Sequence, residues 1–207
     1  MARSHWDIVV GDILSSTAEG GSYEVLSGAG QFHSPLYGLH PIQGENRFFY
    51  NGDITLVNTR FYARIKNTTV ESQRHRAFFF FRWNQKEPVL NGYQLDLRAG
   101  SSTTWVTFMT RWKTGSNTTL SSPYSVTTGA GTLTDWQEFR ATVRTESGIP
   151  VFRVDWWNGS AWQMFYEYYD NNANKILTGG YTGFGFREQY DGNFYIDDIN
   201  LTKFTEV

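Results

Sequence analysis

The sequence predicts an all-β protein, folded as a single-domain antiparallel jelly-roll β-sandwich. From Ile54 onward, apolar and polar residues alternate with a period of two, which is the side-chain period of a β-strand. Turn residues separate these runs about every ten residues, as is typical of sandwiches and jelly rolls. No stretch carries a convincing helical period, and only Asn171–Leu177 suits a short turn.

Length and composition limit the classes of function. A chain of 207 residues is long enough for one large sandwich, so we expect one domain over residues 1–207, with 1–53 as its loop-rich N-terminal part. The net charge of -2 provides no global basic field, so nucleic acid is not an expected partner. The absence of cysteine excludes disulfides, thiolate metal sites and a cysteine nucleophile.

No targeting or membrane segment is predicted. Asp7 and Asp12 bracket only Ile-Val-Val-Gly, which is too short for the apolar region of a signal peptide. The longest apolar run, Ala77–Phe81, is far too short to cross a bilayer. We therefore expect no signal peptide, no transmembrane segment and no membrane insertion.

The middle of the chain predicts several long strands with defined faces. The stretch Ile54–Lys66 alternates, and His75–Trp83 is an apolar run suited to a central strand that is covered on both faces. Three further alternating strands are expected at Tyr93–Arg98, Trp105–Trp112 and Trp136–Glu146. The predicted inward side chains are Val57, Phe61, Ala63, Ile65, Tyr93, Leu95, Leu97, Phe139, Ala141 and Val143.

The last third predicts a hairpin and two closing strands. Val151–Trp157 and Trp162–Tyr169 are joined by a short Asn-Gly turn, which is a strong hairpin signal. Trp156 and Trp157 are adjacent, so one of the two rings must point away from the core. The strands Gly180–Glu188 and Gly192–Phe204 end the chain.

The order of five segments resembles one superfamily. The segments are NGYQLDLR, WQEFRATV, VDWWNG, GYTGFGF and the closing FYIDDINL. In this order they resemble the concanavalin A-like lectin and glucanase fold, and in particular its non-catalytic modules in phage virion proteins and its glycosidase-appended carbohydrate-binding domains. The resemblance implies glycan binding, capsid or tail decoration, or scaffolding.

The carboxylates give no catalytic motif. Glucanases of this fold carry Glu-x-Asp-x-x-Glu or Glu-x-Asp-x-Glu on one strand, which brings two carboxylates to one side of the sheet. No such motif occurs, and Asp96 and Asp155 lie in mid-strand without a carboxylate two residues away. The tract Gln73–Arg76 superficially suggests a polysaccharide lyase, but it is better interpreted as a loop that enters a strand. We therefore predict no catalytic residue.

Polar side chains on three strands form a candidate ligand surface. If these strands are neighbours, their outward residues share one face, because alternate residues of a strand point the same way. Guanidinium and carboxylate groups bind vicinal hydroxyls bidentately, and tyrosine offers a stacking ring, so the face suits a sugar, including an acidic one. A solvated sheet face or a contact with a partner subunit is the alternative. The residues are Arg60, Tyr62, Arg64, Arg82, Gln94, Asp96 and Arg98.

A second candidate surface is aromatic. Trp157 and Trp162 lie at the mouth of the predicted hairpin, and three tyrosines follow them in the sequence. Aromatic rings beside a turn suit sugar stacking, and they suit a protein–protein interface equally well.

The adjacent Asp197 and Asp198 on the closing strand have two interpretations. In modules that the chain resembles, a carboxylate on the last strand often holds a structural Ca²⁺ together with oxygens from the N-terminal segment. The resemblance thus implies Asp198 and Asp12 as candidate calcium ligands, although calcium takes six to eight oxygens. Alternatively, one aspartate faces solvent and the other accepts hydrogen bonds from loop amides at a bulge. Apart from calcium, no cofactor is expected.

Three functions follow as hypotheses. The leading one is a non-catalytic phage virion surface protein, either a capsid decoration or a tail-associated adhesion module. Such a protein would contact other virion proteins or itself through an aromatic patch, and would bind host-surface glycans. The alternatives are a carbohydrate-active enzyme of the same fold, either a glycoside hydrolase or a polysaccharide lyase, and a free lectin-like carbohydrate-binding module.

Overall fold

A computed structural model describes the backbone of residues 5–8, 13–14, 23–27, 30–33, 39–41, 44–50, 57–67, 76–84, 91–101, 104–114, 116–127, 136–188 and 194–203. Side chains are described only from Val57 onward. In these ranges the chain forms strands and turns and no helix, as the alternating pattern predicts.

Six short strands lie in the N-terminal part. They are β1 (His5–Ile8), β2 (Ile13–Leu14), β3 (Tyr23–Ser27), β4 (Gly30–His33), β5 (Leu39–Pro41) and β6 (Gly44–Tyr50). Longer strands follow, namely β7 (Thr59–Asn67), β8 (Arg76–Trp83), β9 (Gly92–Ser101) and β10 (Thr104–Lys113). The remaining strands are β11 (Ser116–Thr119), β12 (Tyr124–Thr127), β13 (Gln137–Glu146), β14 (Ile149–Trp157), β15 (Trp162–Tyr169), β16 (Tyr181–Glu188) and β17 (Phe194–Lys203).

The strands form two antiparallel sheets. The eight-stranded sheet has the order β1-β4-β5-β17-β7-β13-β14-β15. The nine-stranded sheet has the order β11-β10-β9-β8-β16-β6-β3-β2, and β12 pairs with β10 beside it. This arrangement confirms the predicted antiparallel jelly-roll sandwich. The chain crosses repeatedly between the sheets, so β7 and β8 are consecutive in sequence but lie in different sheets.

The core fills the space between the sheets and confirms the predicted inward side chains except Val57, which is half-buried and lies before β7. Phe61 of the eight-stranded sheet packs against Phe79 of the nine-stranded sheet, with 5.4 Å between ring centroids. Tyr93 and Phe152 meet in the same way at 4.6 Å. All four rings are inaccessible to solvent, so burial of aromatic surface stabilises the sandwich.

Strand β8 is covered on both faces, as its continuous apolar sequence predicts. It pairs with β9 on one side and β16 on the other. Phe79 and Phe81 point into the core, whereas Phe78 and Phe80 lie in a second cluster on the outer face of the nine-stranded sheet with Trp83.

Two tight turns fix the hairpins around β14. Ser147 and Gly148 join β13 to β14 with φ angles of 47° and 75°, the left-handed pair that a two-residue hairpin turn requires. At the other end, the Asn158 side chain accepts hydrogen bonds from the Ser160 and Ala161 backbone N–H groups. The Asn-Gly hairpin predicted from the sequence is therefore confirmed.

Candidate functional site

The two sheets divide the predicted polar surface. Arg60, Tyr62 and Arg64 lie on β7, in the eight-stranded sheet, whereas β8 and β9 belong to the nine-stranded sheet. The assumption that these three strands are neighbours is therefore wrong. Because the outer faces of the two sheets point away from each other, the seven predicted residues do not form one site.

Arg82 is also corrected, because its side chain is not on an outer ligand surface. Its φ angle is 56°, and the pairing of β8 with β16 shifts register beside it, so the regular alternation of faces is interrupted. The guanidinium is 1% exposed and donates to the carbonyl oxygens of Val57 and Ile176 and to the Thr145 hydroxyl, at 2.6–3.2 Å. Arg82 therefore connects three segments of the chain.

Gln94, Asp96 and Arg98 lie on the outer face of the nine-stranded sheet, as the alternation predicts, but the first two are buried. Asp96 accepts hydrogen bonds from Arg76 at 3.2 Å and from the Gln94 amide at 3.0 Å. Burial raises the pKa of Asp96 to about 6, against the opposing effect of the Arg76 charge. The Arg98 guanidinium stacks 5.3 Å from the Phe108 ring. These side chains contact one another, so they do not form an open binding surface.

The eight-stranded sheet, in contrast, gathers predicted residues from separate parts of the sequence. Strand register places Tyr62 opposite Arg140, and Arg140 opposite Asp155. On the next pair of strands Trp157 lies opposite Trp162. These five side chains occupy the outer side of neighbouring strands, and we call them the aromatic–guanidinium face.

The Trp162 ring is the centre of this face. The Arg140 guanidinium lies 4.0 Å from the ring centroid, a short cation–π distance. Tyr62 makes an edge contact at 6.1 Å, and Trp157 packs at 5.4 Å with a tilt of 55°. Trp157 and Trp162 are both partly exposed, so the two tryptophans of the predicted hairpin mouth reach solvent together.

Asp155 anchors the cationic part of the face. Its carboxylate is 2% exposed and accepts from Arg153 at 2.6 Å and from Arg140 at 3.3 Å. Burial lowers the pKa of Arg140, and the Asp155 charge opposes that shift. One carboxylate between two guanidinium groups leaves an excess positive charge and fixes both side chains in position.

Two further predicted residues border the aromatic–guanidinium face. The Arg60 Nε donates to the Thr142 hydroxyl at 3.2 Å, and the Arg64 guanidinium lies 5.1 Å from the Trp136 ring centroid. Sequence reasoning missed Arg140 and Asp155 as site residues, although the predicted inward positions of Phe139 and Ala141 leave Arg140, between them, on the outward side. The missing information was that β7 pairs with β13.

The two mid-strand aspartates, Asp96 and Asp155, do not form a pair for glycoside hydrolysis. Asp96 and Asp155 lie on the outer faces of opposite sheets, so the core separates them and they cannot flank one glycosidic bond. Glu146 and Glu167, which are distant in sequence, meet at Arg144. One guanidinium engages both, so the two carboxylates belong to one ion-pair cluster around Arg144.

The calcium prediction falls on residues that the structure leaves undescribed. Asp12 lies outside the described residues, and nothing is described of the Asp198 side chain. The backbone of β17 shifts register against β7 between Asp197 and Asn200, so the strand is irregular at this aspartate pair. Among the described side chains, no three His, Cys, Asp or Glu residues are grouped as metal ligands. Calcium binding by Asp12 and Asp198 stays a prediction.

Comparison with known proteins identifies the fold. No protein-family model and no curated protein matches the sequence. The exoplasmic/lumenal domain of VIP36, in its Ca²⁺/Man3GlcNAc-bound form, is similar over 89% of this chain and 85% of its own, with 11% identity and a TM-score of 0.59. The legume lectin-like domain from Entamoeba histolytica is similar over 98% and 91%, with 7% identity and a TM-score of 0.52.

A third solved structure is more distant. The CBM2 module of the evolved Dit of Lactobacillus casei BL23 phage J-1 is similar over 92% of this chain and 83% of its own, with 15% identity and a TM-score of 0.43. That score is too low to support an inference. The two lectin domains show that the protein has a concanavalin A-like, legume lectin-like fold, which confirms the fold predicted by the sequence resemblance. In the described part of the chain, no helix is long and apolar enough to cross a membrane.

Proposed function

We propose that this protein is a non-catalytic carbohydrate-binding module, and that its aromatic–guanidinium face binds the sugar. The observation that carries the proposal is the cluster around Trp162. Two tryptophans, a tyrosine and an aspartate-anchored arginine come from four neighbouring strands and meet on one sheet face.

The chemistry of this face suits a saccharide. A sugar ring has an apolar side made of C–H groups, which packs on aromatic rings, and a rim of hydroxyls that require hydrogen bonds. The Trp157 ring is partly exposed and packs beside Trp162. Arg140 already occupies one side of the Trp162 ring. The Asp155 carboxylate holds the guanidinium in place, so little conformational entropy is lost when a ligand binds.

The similarity to lectin folds supports the same function. The exoplasmic/lumenal domain of VIP36 has been solved in a form with bound Ca²⁺ and Man3GlcNAc. At 11% identity the likeness concerns the fold, so the position of a sugar on this protein has to be argued from its own residues. The separation of Asp96 from Asp155 supports the non-catalytic part of the proposal.

Glycan-array screening followed by titration of the best ligand tests this function. Replacing Trp157 or Trp162 by alanine should weaken binding about tenfold or more, equivalent to about 1.4 kcal/mol. Tyr124→Ala is the matched control, because Tyr124 is an exposed aromatic residue on β12, beside the other sheet. Unchanged affinity in both tryptophan variants would place the sugar elsewhere, and no bound glycan at all would overturn the function.

A virion location is a second proposal, made from the sequence resemblance. In this version the module decorates a capsid or tail and contacts other virion proteins through the aromatic–guanidinium face. Exposed Met164 on β15 favours it, because it lies opposite Asp155 and extends the face with a large apolar group that suits a protein interface. Antibody labelling of purified particles by electron microscopy tests this location. Absence of the protein from particles that carry its gene would exclude it.

A further inference from the structure

A cavity of about 530 Å³ opens at one end of the sandwich, away from the aromatic–guanidinium face. Its lining comes from Asn84 after β8, Asn91 before β9, Lys113 at the end of β10 and residues 173–178 between β15 and β16. Its size falls in the range of small-molecule sites. The polar residues that line it are Asn84, Asn91, Lys113, Asn174, Lys175 and Thr178.

A buried polar network fixes the segment that forms one wall of this cavity. Asp170, at 0% exposure, accepts hydrogen bonds from the Tyr93 hydroxyl at 2.6 Å and from Arg111 at 3.2 Å. The Tyr93 oxygen in turn accepts the Ile176 backbone N–H at 2.7 Å, and Arg82 donates to the Ile176 carbonyl at 2.8 Å. Both backbone polar groups of Ile176, its N–H and its carbonyl, are therefore held by buried side chains, which makes this wall of the cavity pre-organised.

The polar groups of the cavity wall determine which ligand charge the cavity favours. Lys113 donates to the Asn174 side-chain oxygen at 2.9 Å, and the Asn91 side-chain oxygen accepts from the Thr114 backbone N–H. In both asparagines the side-chain oxygen thus already accepts one hydrogen bond from the protein, which orients the amide, and its NH₂ group supplies two donor hydrogens. None of the described residues that line the cavity is acidic. The cavity therefore combines two ammonium groups with amide donors, and it complements a ligand that is anionic and rich in acceptors.

The cavity is separate from the aromatic–guanidinium face. Strand β15 begins at Trp162 on that face and ends at Tyr169, and the segment that forms the cavity wall follows this end of the strand. A strand of this length spans roughly 23 Å at about 3.3 Å per residue. One monosaccharide cannot contact both places.

We propose that this cavity is a second binding site, which takes a sugar residue that carries a carboxylate group, such as a uronic or sialic acid. The carboxylate would pair with Lys113 and Lys175, and the hydroxyls would accept hydrogen bonds from the asparagine amides.

Titration with glucuronic acid and with N-acetylneuraminic acid tests this proposal, with glucose as the neutral comparison. Binding is followed by the shifts of the asparagine side-chain amide signals in ¹⁵N-correlated NMR spectra. We expect one or both acids to shift the signals of Asn91 and Asn174, and glucose not to do so. Lys113→Gln should weaken binding about tenfold, a loss of about 1.4 kcal/mol.

Two controls separate the outcomes. Lys66→Gln removes the same charge from β7, on the eight-stranded sheet, and should leave the affinity unchanged, whereas an equal loss would show a non-specific charge effect and overturn the site. Trp162→Ala should also leave the affinity for the acidic sugar unchanged, because Trp162 lies on the aromatic–guanidinium face. Failure of the proposed function and failure of this site are therefore distinguishable. Equal binding of glucose, or no binding at millimolar acid, would overturn the proposal.

Discussion

The Arg140 guanidinium lies 4.0 Å from the centre of the Trp162 ring and donates to the Asp155 carboxylate on the neighbouring strand. The same side chain therefore makes a cation–π contact and an ion pair at once. Because Asp155 is buried, this arrangement is shielded from water more than an ordinary surface pair.

A double-mutant cycle should detect this coupling. Arg140→Gln and Trp162→Leu should each destabilise the fold, and the double variant should lose less than their sum, with a coupling energy of about 0.5–1 kcal/mol. Urea unfolding measures each free energy. Strict additivity would show that the contact contributes nothing.

Substitution of Asp170 should destabilise the fold more than substitution of most other polar residues. Asp170→Asn leaves the buried Arg111 without its carboxylate, and such a loss costs roughly 3–5 kcal/mol. Tyr93→Phe removes the hydroxyl that donates to the same carboxylate and accepts the Ile176 backbone N–H, and without an ion pair at stake it should cost less, about 2–3 kcal/mol. Chemical denaturation gives both values. Equal costs would mean that the ion pair is not the dominant contact of Asp170.

Two glycines should respond differently to alanine. A Cβ atom at Gly180 would lie 2.3 Å from the Trp83 carbonyl oxygen, so backbone must move, and we expect severe destabilisation. Gly159 has a φ of 94° and open space around it, so Gly159→Ala should cost only about 1–2 kcal/mol of backbone strain. Thermal unfolding compares the two variants. A Gly180→Ala protein as stable as Gly159→Ala would contradict the packing of Gly180 on Trp83.

Asp96 should make stability depend on pH in an unusual direction. Its pKa of about 6 is above the ordinary 3.8, so the folded state binds this proton more tightly than the unfolded state. The free energy of unfolding should therefore decrease as the pH rises from about 4 to about 6, by on the order of 3 kcal/mol from this group. The difference between wild type and Asp96→Asn, measured by urea unfolding across this range, isolates the effect. A constant difference would contradict it.

Calcium binding through Asp198 and Asp12 is directly testable. If both carboxylates hold a structural ion, a chelator should lower the melting temperature and added Ca²⁺ should restore it, because a ligand of the native state stabilises that state. Asp198→Asn should abolish this response. A melting temperature that is indifferent to chelator would remove the calcium interpretation in favour of solvent exposure or a bulge.

Local pattern was sufficient to predict strands, faces and one turn. Alternation in β7, β9 and β13 identified the core side chains, because a strand that is buried on one face repeats every two residues. The Asn-Gly pair identified the hairpin between β14 and β15, because its turn geometry is encoded in adjacent residues. Strand alternation and turn geometry both depend on residues that are close together in the sequence, so they can be predicted from one sequence.

The sequence by itself determined the all-β class, the inward and outward faces and the residue types available for binding. The tertiary structure decided which strands pair, and this placed Tyr62 beside Arg140 and Trp162 while separating all three from Gln94 and Asp96. It also placed the Arg82 side chain in the interior and brought the Asp170 carboxylate within hydrogen-bond distance of the Tyr93 hydroxyl. Strand pairing joins residues that are far apart in sequence, so no local period can reveal which outward faces become one site.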